Sequence, residues 1–253
     1  MRPWGGGLPA SADGGRLLCI GDVHGCASEL ETLLRHLDAE PTDRLVFLGD
    51  YVDRGPQSLA CVRIVLEMKR SFPGTVALRG NHEEMFLGYL GMGGAHGRVF
   101  LSNGGTQTMR SFGLRGPLGT NEPTAEETVR EELEFLRDAL ELHFAEGGVV
   151  FVHAGIRPGV PIAEQVPDDL LWIREEFLDA DPGLPWLVVF GHTPYRHGPF
   201  FDVPRKIGLD TGCVYGGHLS CLDLTQGTLH QVKRGERRVR SADVVRELEG
   251  FRG

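Results

Sequence analysis

Eight side chains stand where they could do chemistry together: Asp22, His24, Asp50, Asp53, Asn81, His82, His153 and His192. Each follows an apolar run, in the stretches CIGDVHG (19–25), FLGDYVDRG (47–55), ALRGNHE (77–83), VFVHAG (150–155) and VVFGHTP (188–194). A carboxylate at the end of a buried strand is expensive unless a cation or a set of donors compensates it. Imidazole, carboxylate and amide oxygen together suit Mn, Fe, Zn or Ni better than Ca or Mg. In an extended segment residues i and i+2 face the same way, so Asp22 and His24 can grip one ion. Asp50, directly after its strand, is placed to bridge two ions, and Asn81, His153 and His192 can complete the second. Two ions ~3.5–4 Å apart activate a water between them and clamp the oxygens of an in-line displacement at phosphorus.

The remaining polar residues of these stretches suit supporting roles. Asp53 lies one turn beyond Asp50 and is better placed to reach a histidine than an ion. Arg54 offers a fork of donors that matches phosphate oxygens. Asn81 and His82 are adjacent, so their side chains diverge: one can bind metal while the other faces a leaving group as a general acid. Taken singly, each aspartate also reads as a turn or cap residue and each histidine as a hydrogen-bonded core residue. It is the coincidence of five such strand ends that favours a site. His36, His143 and His230 sit in ordinary helix or strand patterns, and His96, His197 and His218 receive no assignment.

These residues need elements to bring them together. The runs RLLCIG (16–21), RLVFLG (44–49) and GTVALRG (74–80) read as strands. Helical spacing follows each: Leu30, Leu33, Leu34 and Leu37 after a cap at Ser28; then Leu59, Val62 and Leu66; then HEEMFLGYL. Strand–helix–strand units of this length imply parallel, right-handed crossovers. An acidic helix is expected from about Thr124 to His143, its glutamates forming a solvated face, and the Gly-rich stretch 88–97 reads as a loop. From Gly148 the pattern changes to short strands at 149–152, 186–190, 206–209, 218–224 and 228–232, the last two forming a hairpin around TQG. The fold class is a single mixed α/β domain over 16–253, preceded by a loose N-terminal tail, 1–15. In such folds ligands bind in the crevice beyond the carboxyl ends of the strands, which is where all eight residues fall.

The bulk composition sets limits. The 253 residues carry a formal charge of −9, which argues against binding nucleic-acid backbones. The five cysteines, Cys19, Cys26, Cys61, Cys213 and Cys221, form neither a CxxC pair nor a disulfide framework. Cys19 and Cys61 lie in apolar patterns as small core residues. The N-terminus has no apolar leader, and no apolar run approaches the ~18–20 residues that span a bilayer. A reduced, cytoplasmic location with no membrane partner is expected.

GDVHG, GDYVDRG and GNHE, followed by HAG and GHTP, resemble the calcineurin-like metallophosphoesterases. The similarity is strongest to the bacterial and phage PPP-type protein phosphatases and the neighbouring diadenosine tetraphosphate hydrolases. SNGG (102–105), LLWIRE (170–175) and GLDTGCVYGGHLSCLDL (208–224) extend it, so that it runs from about Leu17 to Leu224. The resemblance implies a β-sandwich flanked by helices, in four α/β/β/α layers, with two divalent ions, most often Mn2+. By it, Asp22, His24 and Asp50 hold one ion, and Asp50, Asn81, His153 and His192 the other. His82, paired with Asp53, protonates the leaving oxygen, while Arg54, Arg174 and Asn81 bind the phosphoryl group. Arg79 and Tyr215 fall near the site in similar proteins. The mechanism it implies is direct attack by a hydroxide bridging the two metals, with no covalent phosphoenzyme.

Two substrate classes follow, a phosphoprotein serine or threonine and a dinucleoside polyphosphate or other nucleotide. Metals and arginines recognise phosphate in either, so the segments 88–125 and 156–185 are expected to supply the distinction. A non-catalytic binding protein on this scaffold would be expected to have lost ligands or the general acid, and this chain keeps them all. It also lacks a GxSxG elbow and a Walker A loop, which disfavours other hydrolytic chemistries.

Overall fold

The computed structural model describes residues 9, 11–12, 14–181, 183 and 185–248. Most of the expected tail lies outside them; of its described part, Pro9 and Ser11 are buried, and the Ser11 hydroxyl donates to the Thr42 carbonyl.

Strands β1 (Leu17–Ile20), β2 (Arg44–Phe47) and β3 (Val76–Ala77) pair in parallel through crossovers containing α1 (Ala27–Leu37) and α2 (Ser58–Ser71). Then come α3 (Asn81–Leu90), α4 (Gly105–Phe112), α5 (Pro123–Thr128) and α6 (Arg130–Asp138). The second half opens with β4 (His143–Glu146) and β5 (Val149–Val152), followed by α7 (Pro167–Trp172) and α8 (Glu175–Leu178). It continues through β6 (Leu187–Phe190), β7 (Phe200–Asp202) and β8 (Lys206–Gly208). β9 (His218–Asp223), β10 (Thr228–Lys233), β11 (Val239–Asp243) and α9 (Val245–Leu248) complete it. The strand orders are β11-β10-β9-β1-β2-β3 and β4-β5-β6-β8-β7.

Side-chain alternation explains how the layers stack. Leu17 and Cys19 on β1 point into one core with Val46, Val149, Phe151, Val189 and Ile207, which come from both sheets. Leu18 and Ile20 point the opposite way, against Leu30, Leu33, Val62 and Phe86 of the helices. Val150, Val152 and Phe190 likewise turn outward onto Leu170, Ile173 and Phe177. The central strands β1, β2, β5 and β6 are buried on both faces, so they read as continuous apolar runs rather than as alternating ones. The result is helices, sheet, sheet, helices, as the resemblance implies.

Several local expectations change. Cys26 is the N-cap residue of α1, and Ser28 lies within its first turn. The acidic helix breaks between α5 and α6 and stops at Asp138, and His143 opens a strand. The cause is tertiary: Glu141 leaves the helix to pair beside β3, donating to the Ala77 carbonyl and accepting from Arg79 N–H. β3 is two residues long because its ladder with β2 runs only from the pair Val46 and Val76 to the pair Phe47 and Ala77, where β2 ends. α3 runs on through Leu90, so the loop begins at Gly91, whose left-handed backbone ends the helix. The substrate-loop segments carry α4, α7 and α8 as well as loops. The short strands β4, β7 and β11 had no sequence signal, since each is too brief or too polar to show one.

Candidate active site

The parallel strands β1, β2, β5, β6 and β8 end on one side of the sandwich. The loops after β1 and β2 are joined through their backbones: Val23 and His24 N–H donate to the Asp50 carbonyl and Gly25 N–H to that of Tyr51. His24, Asp50, Asp53 and Arg54 all have positive φ, at 44°, 54°, 70° and 67°. Non-glycine residues enter that region at a cost of roughly 1–3 kcal/mol each, and such conformations cluster at functional sites. Glu83 holds the loop in this shape. Its buried carboxylate accepts from the N–H groups of Asp50, Tyr51, Val52 and Gly80, at 2.8–3.1 Å. Two glycines make room for the carboxylates that face the site. A Cβ on Gly80 would lie 2.1 Å from Asp50 Oδ1, and one on Gly191 would lie 2.1 Å from Asp22 Oδ1.

His24 donates its Nδ1–H to the Val52 carbonyl at 2.8 Å, and His153 donates its own to Leu48 at 2.8 Å. Both Nε2 lone pairs therefore turn toward Asp50: His24 Nε2 lies 3.3 Å from Oδ2 and His153 Nε2 lies 3.4 Å from Oδ1. His153 Nε2 also lies 3.0 Å from Asn81 Oδ1, and His192 Nδ1 lies 2.9 Å from the same oxygen. The His192 N–H donates to Asp22 at 3.0 Å. Lone pairs facing one another in this way are relieved by extra protons or by cations. A cation already occupies part of the arrangement: the Arg54 guanidinium donates to His24 Nε2, and Arg174 Nε donates to His192 Nε2 at 3.1 Å. His24, Asp50 and His82, and again Asp50, His153 and His192, bring donor atoms within 4.8 Å of one another, and each group fits a divalent ion of the imidazole-binding kind. Asp22 borders them through His192 N–H, and Asn81 through His153 and His192.

His82 faces two ways: its Nε2 lies 4.0 Å from Asp50 Oδ2, beside the His24 ring. Its Nδ1 lies 2.6 Å from Asp53 Oδ2, and Thr108 Oγ1 donates to Asp53 Oδ1 at 2.5 Å. Asn81 and His82 therefore diverge, with Asn81 toward the imidazoles of the second sheet. Burial pushes Asp53 up to about 7, although Thr108 opposes it, and burial together with His24 and Arg54 holds His82 well below its usual range. Burial likewise opposes ionisation of Asp50, but His153, His82 and His24 win and keep its carboxyl well below the usual range. Asp22 is pushed well up by burial and by its acidic neighbours Asp210 and Asp50. Two carboxylates this close in a buried place call for positive charge.

Tyr215 lies with its ring centroid 5.5 Å from the Arg54 guanidinium and is 53 % exposed. Arg79 turns away from the site, to Glu84 and the Arg137 carbonyl. His36 and His230 pack against each other with Ser241 between them, far from the crevice. His96 lies beside Trp172, which in turn borders His192. Sequence reasoning missed the anchoring role of Glu83, the Thr108 hydroxyl and the buried carboxyl of Asp210. Asp210 alone left a signal, because it too follows a strand in a Gly-containing cluster.

Residues 15–218 match the family model described as calcineurin-like phosphoesterase, and the chain belongs to that family. It is 33 % identical over 215 residues to serine/threonine-protein phosphatase 1 of Salmonella typhimurium, covering 79 % of this chain and 88 % of that one. It is 31 % identical over 229 residues to the asymmetrical bis(5'-nucleosyl)-tetraphosphatase PrpE of Halalkalibacterium halodurans, covering 80 % and 87 %. Among solved structures it superposes on that of a protein assigned as a diadenosine tetraphosphatase. The TM-score is 0.62 and the identity 28 %, over 89 % of this chain and 96 % of the other. The protein is a phosphoric ester hydrolase.

Proposed function

We propose that this protein is a dinuclear-metal phosphatase whose substrates are phosphomonoesters, foremost phosphoserine and phosphothreonine in proteins. The observation that carries the reading is Asp50, whose two carboxylate oxygens face imidazole nitrogens from two different sheets. In this reading Asp22, His24 and Asp50 hold one ion, and Asp50, Asn81, His153 and His192 the other, with Mn2+ as the working metal. When bound, the ions supply an activated water and positive charge for the phosphoryl oxygens.

The chain's own residues do the rest. Arg54 and Arg174, both at the mouth of the crevice, take the phosphoryl oxygens, and Asn81 adds its amide N–H. His82 gives a proton from Nε2 to the leaving oxygen while Asp53 holds Nδ1–H and stabilises the imidazolium. Burial, with the charges of His24 and Arg54, depresses the basicity of His82 and makes it a strong acid once charged, and an arriving phosphoryl dianion offsets the contribution of those charges. Among the described residues no helix is long and apolar enough to cross a membrane.

A second reading, hydrolysis of dinucleoside polyphosphates, is favoured by Tyr215. An exposed aromatic ring beside a phosphate-binding arginine offers a stacking face for a base. The names of two similar proteins point the same way. The test is kcat/KM of the Mn2+-loaded protein on a phosphoserine peptide and on diadenosine tetraphosphate. A large preference for the peptide supports the first reading, and a large preference for the dinucleotide replaces it with the second. Turnover of neither, in protein that binds Mn2+, would overturn both.

A further inference from the structure

Of the strands in the second sheet, β5 and β6 deliver His153 and His192, and β8 runs parallel to β6 beside them. Its carboxyl end must therefore open on the same crevice. The residues there are Leu209, Asp210, Thr211 and Gly212, the same order of apolar strand, acid and glycine that marks the other strand ends. Asp210 is 4 % exposed.

The backbone fixes where this residue lies. Leu209 N–H donates to the Phe190 carbonyl at 2.8 Å, and the Asp210 carbonyl accepts from Tyr195 N–H at 2.8 Å, which ties the segment to both sides of His192. Across the sandwich, Gly21 packs on the Leu209 carbonyl so closely that a Cβ there would lie 2.4 Å from the oxygen. The ends of β1 and β8 thus abut, and the next residue of each is an aspartate, Asp22 and Asp210. One oxygen of Asp210 accepts from Gly212 N–H at 2.9 Å. Among the described residues no arginine, lysine or histidine nitrogen lies within ion-pairing distance of its carboxylate. A buried carboxylate next to a second one, with a single donor, lacks the compensation that Glu83 receives from four.

We propose that Asp210 serves the metal position of Asp22, His24 and Asp50 as an additional carboxylate, raising the affinity of that ion and not of the ion held by Asn81, His153 and His192. The assignment rests on the dinuclear reading above. It follows from charge and place: a cation beside Asp22 compensates both acids at once.

The test is Mn2+ binding to metal-free protein, followed by calorimetry and by the electron paramagnetic resonance signal of free Mn2+. For Asp210→Asn, which keeps the acceptor for Gly212 N–H and removes only charge, one of two ions should weaken on the order of 10–100-fold, as outer carboxylates do. The other ion should be unchanged, and Asp210→Glu should recover most of the affinity. If the Asn variant does not fold by circular dichroism, Asp210→Glu against Asp210→Gln makes the same comparison at constant size. Two unchanged ions in the neutral variants, or equal weakening of both, would overturn the proposal. Wild-type protein that binds no Mn2+ would overturn the dinuclear reading, and this assignment with it, a result visible before any variant is made.

Discussion

The half of the site built on β1, β2 and β3 and the half built on β5, β6 and β8 are supported in different ways. In the first, residues 20–83 form a dense local network, with backbones joined loop to loop and Glu83 collecting four N–H groups. Four residues of its site loops, His24, Asp50, Asp53 and Arg54, are in the left-handed region. In the second, each strand delivers one side chain, and His192 is the only such residue in that region among those described. Its anchors are single contacts, such as His153 Nδ1 to Leu48 and His192 N–H to Asp22. The contrast follows charge. The first half buries Asp22, Asp50, Asp53 and Glu83, and buried carboxylates need many donors. The second half contributes mainly neutral imidazoles, for which one hydrogen bond fixes the tautomer.

Asp50 belongs to both halves, so its loss should have the largest effect. For Asp50→Asn we expect loss of both ions, measured as metal content after Mn2+ loading and desalting, and with it nearly all turnover. Full metal content would show that the halves bind independently of it. His82→Asn should separate chemistry from support. Both ions should stay, while turnover of a phosphoserine peptide falls on the order of 10²–10⁴-fold. p-Nitrophenyl phosphate, with its good leaving group, should lose least, and equal losses on both substrates would sink the general-acid role.

Glu83→Gln attacks the first half alone, because an amide can offer only one acceptor oxygen to four donors. Urea unfolding of the metal-free protein should show a loss of about 2–4 kcal/mol, as expected for buried N–H groups left unpaired. Lys206→Met is the matching change in the second half. This buried lysine donates to the carbonyls of Phe177, Leu178 and Ala180, just after Arg174, and lies 5.4 Å from the Phe177 ring centroid. We expect about 1–3 kcal/mol of destabilisation and a higher KM through Arg174, with metal content unchanged. A raised metal Kd instead would mean that the support of the second half reaches the ions.

The smallest effect is expected far from both halves. Burial and the nearby His36 push His230 down to about 4, so the folded protein favours its neutral form. Between pH ~4 and ~6.5 the unfolded chain binds more protons there, and stability should rise with pH across that window. The urea midpoint of His230→Gln should show a shallower rise than the wild type. An identical slope would assign the pH dependence to other groups.

The strand-end residues were legible because each demand is local: an acid, amide or imidazole directly after an apolar run, with glycine beside it. Glu83 was visible as part of GNHE, but its work depends on four N–H groups from two separate loops. Thr108 sits in an unremarkable helical pattern and matters only because α4 packs beside Asp53. Glu141 left a helix-forming neighbourhood for β3 because the pairing available there outweighed local propensity.

By itself, then, the sequence determined the chemistry of the donor set, the order of strands and helices that present it, and the backbone freedom at the turns. Tertiary structure alone decided that His153 meets Asp50, that Glu83 is satisfied and that Asp210 comes to rest beside Asp22. The reason is physical. Side-chain type and backbone preference are properties of a residue and its neighbours, whereas a buried charge is settled by whatever two packed sheets bring within a few ångströms of it.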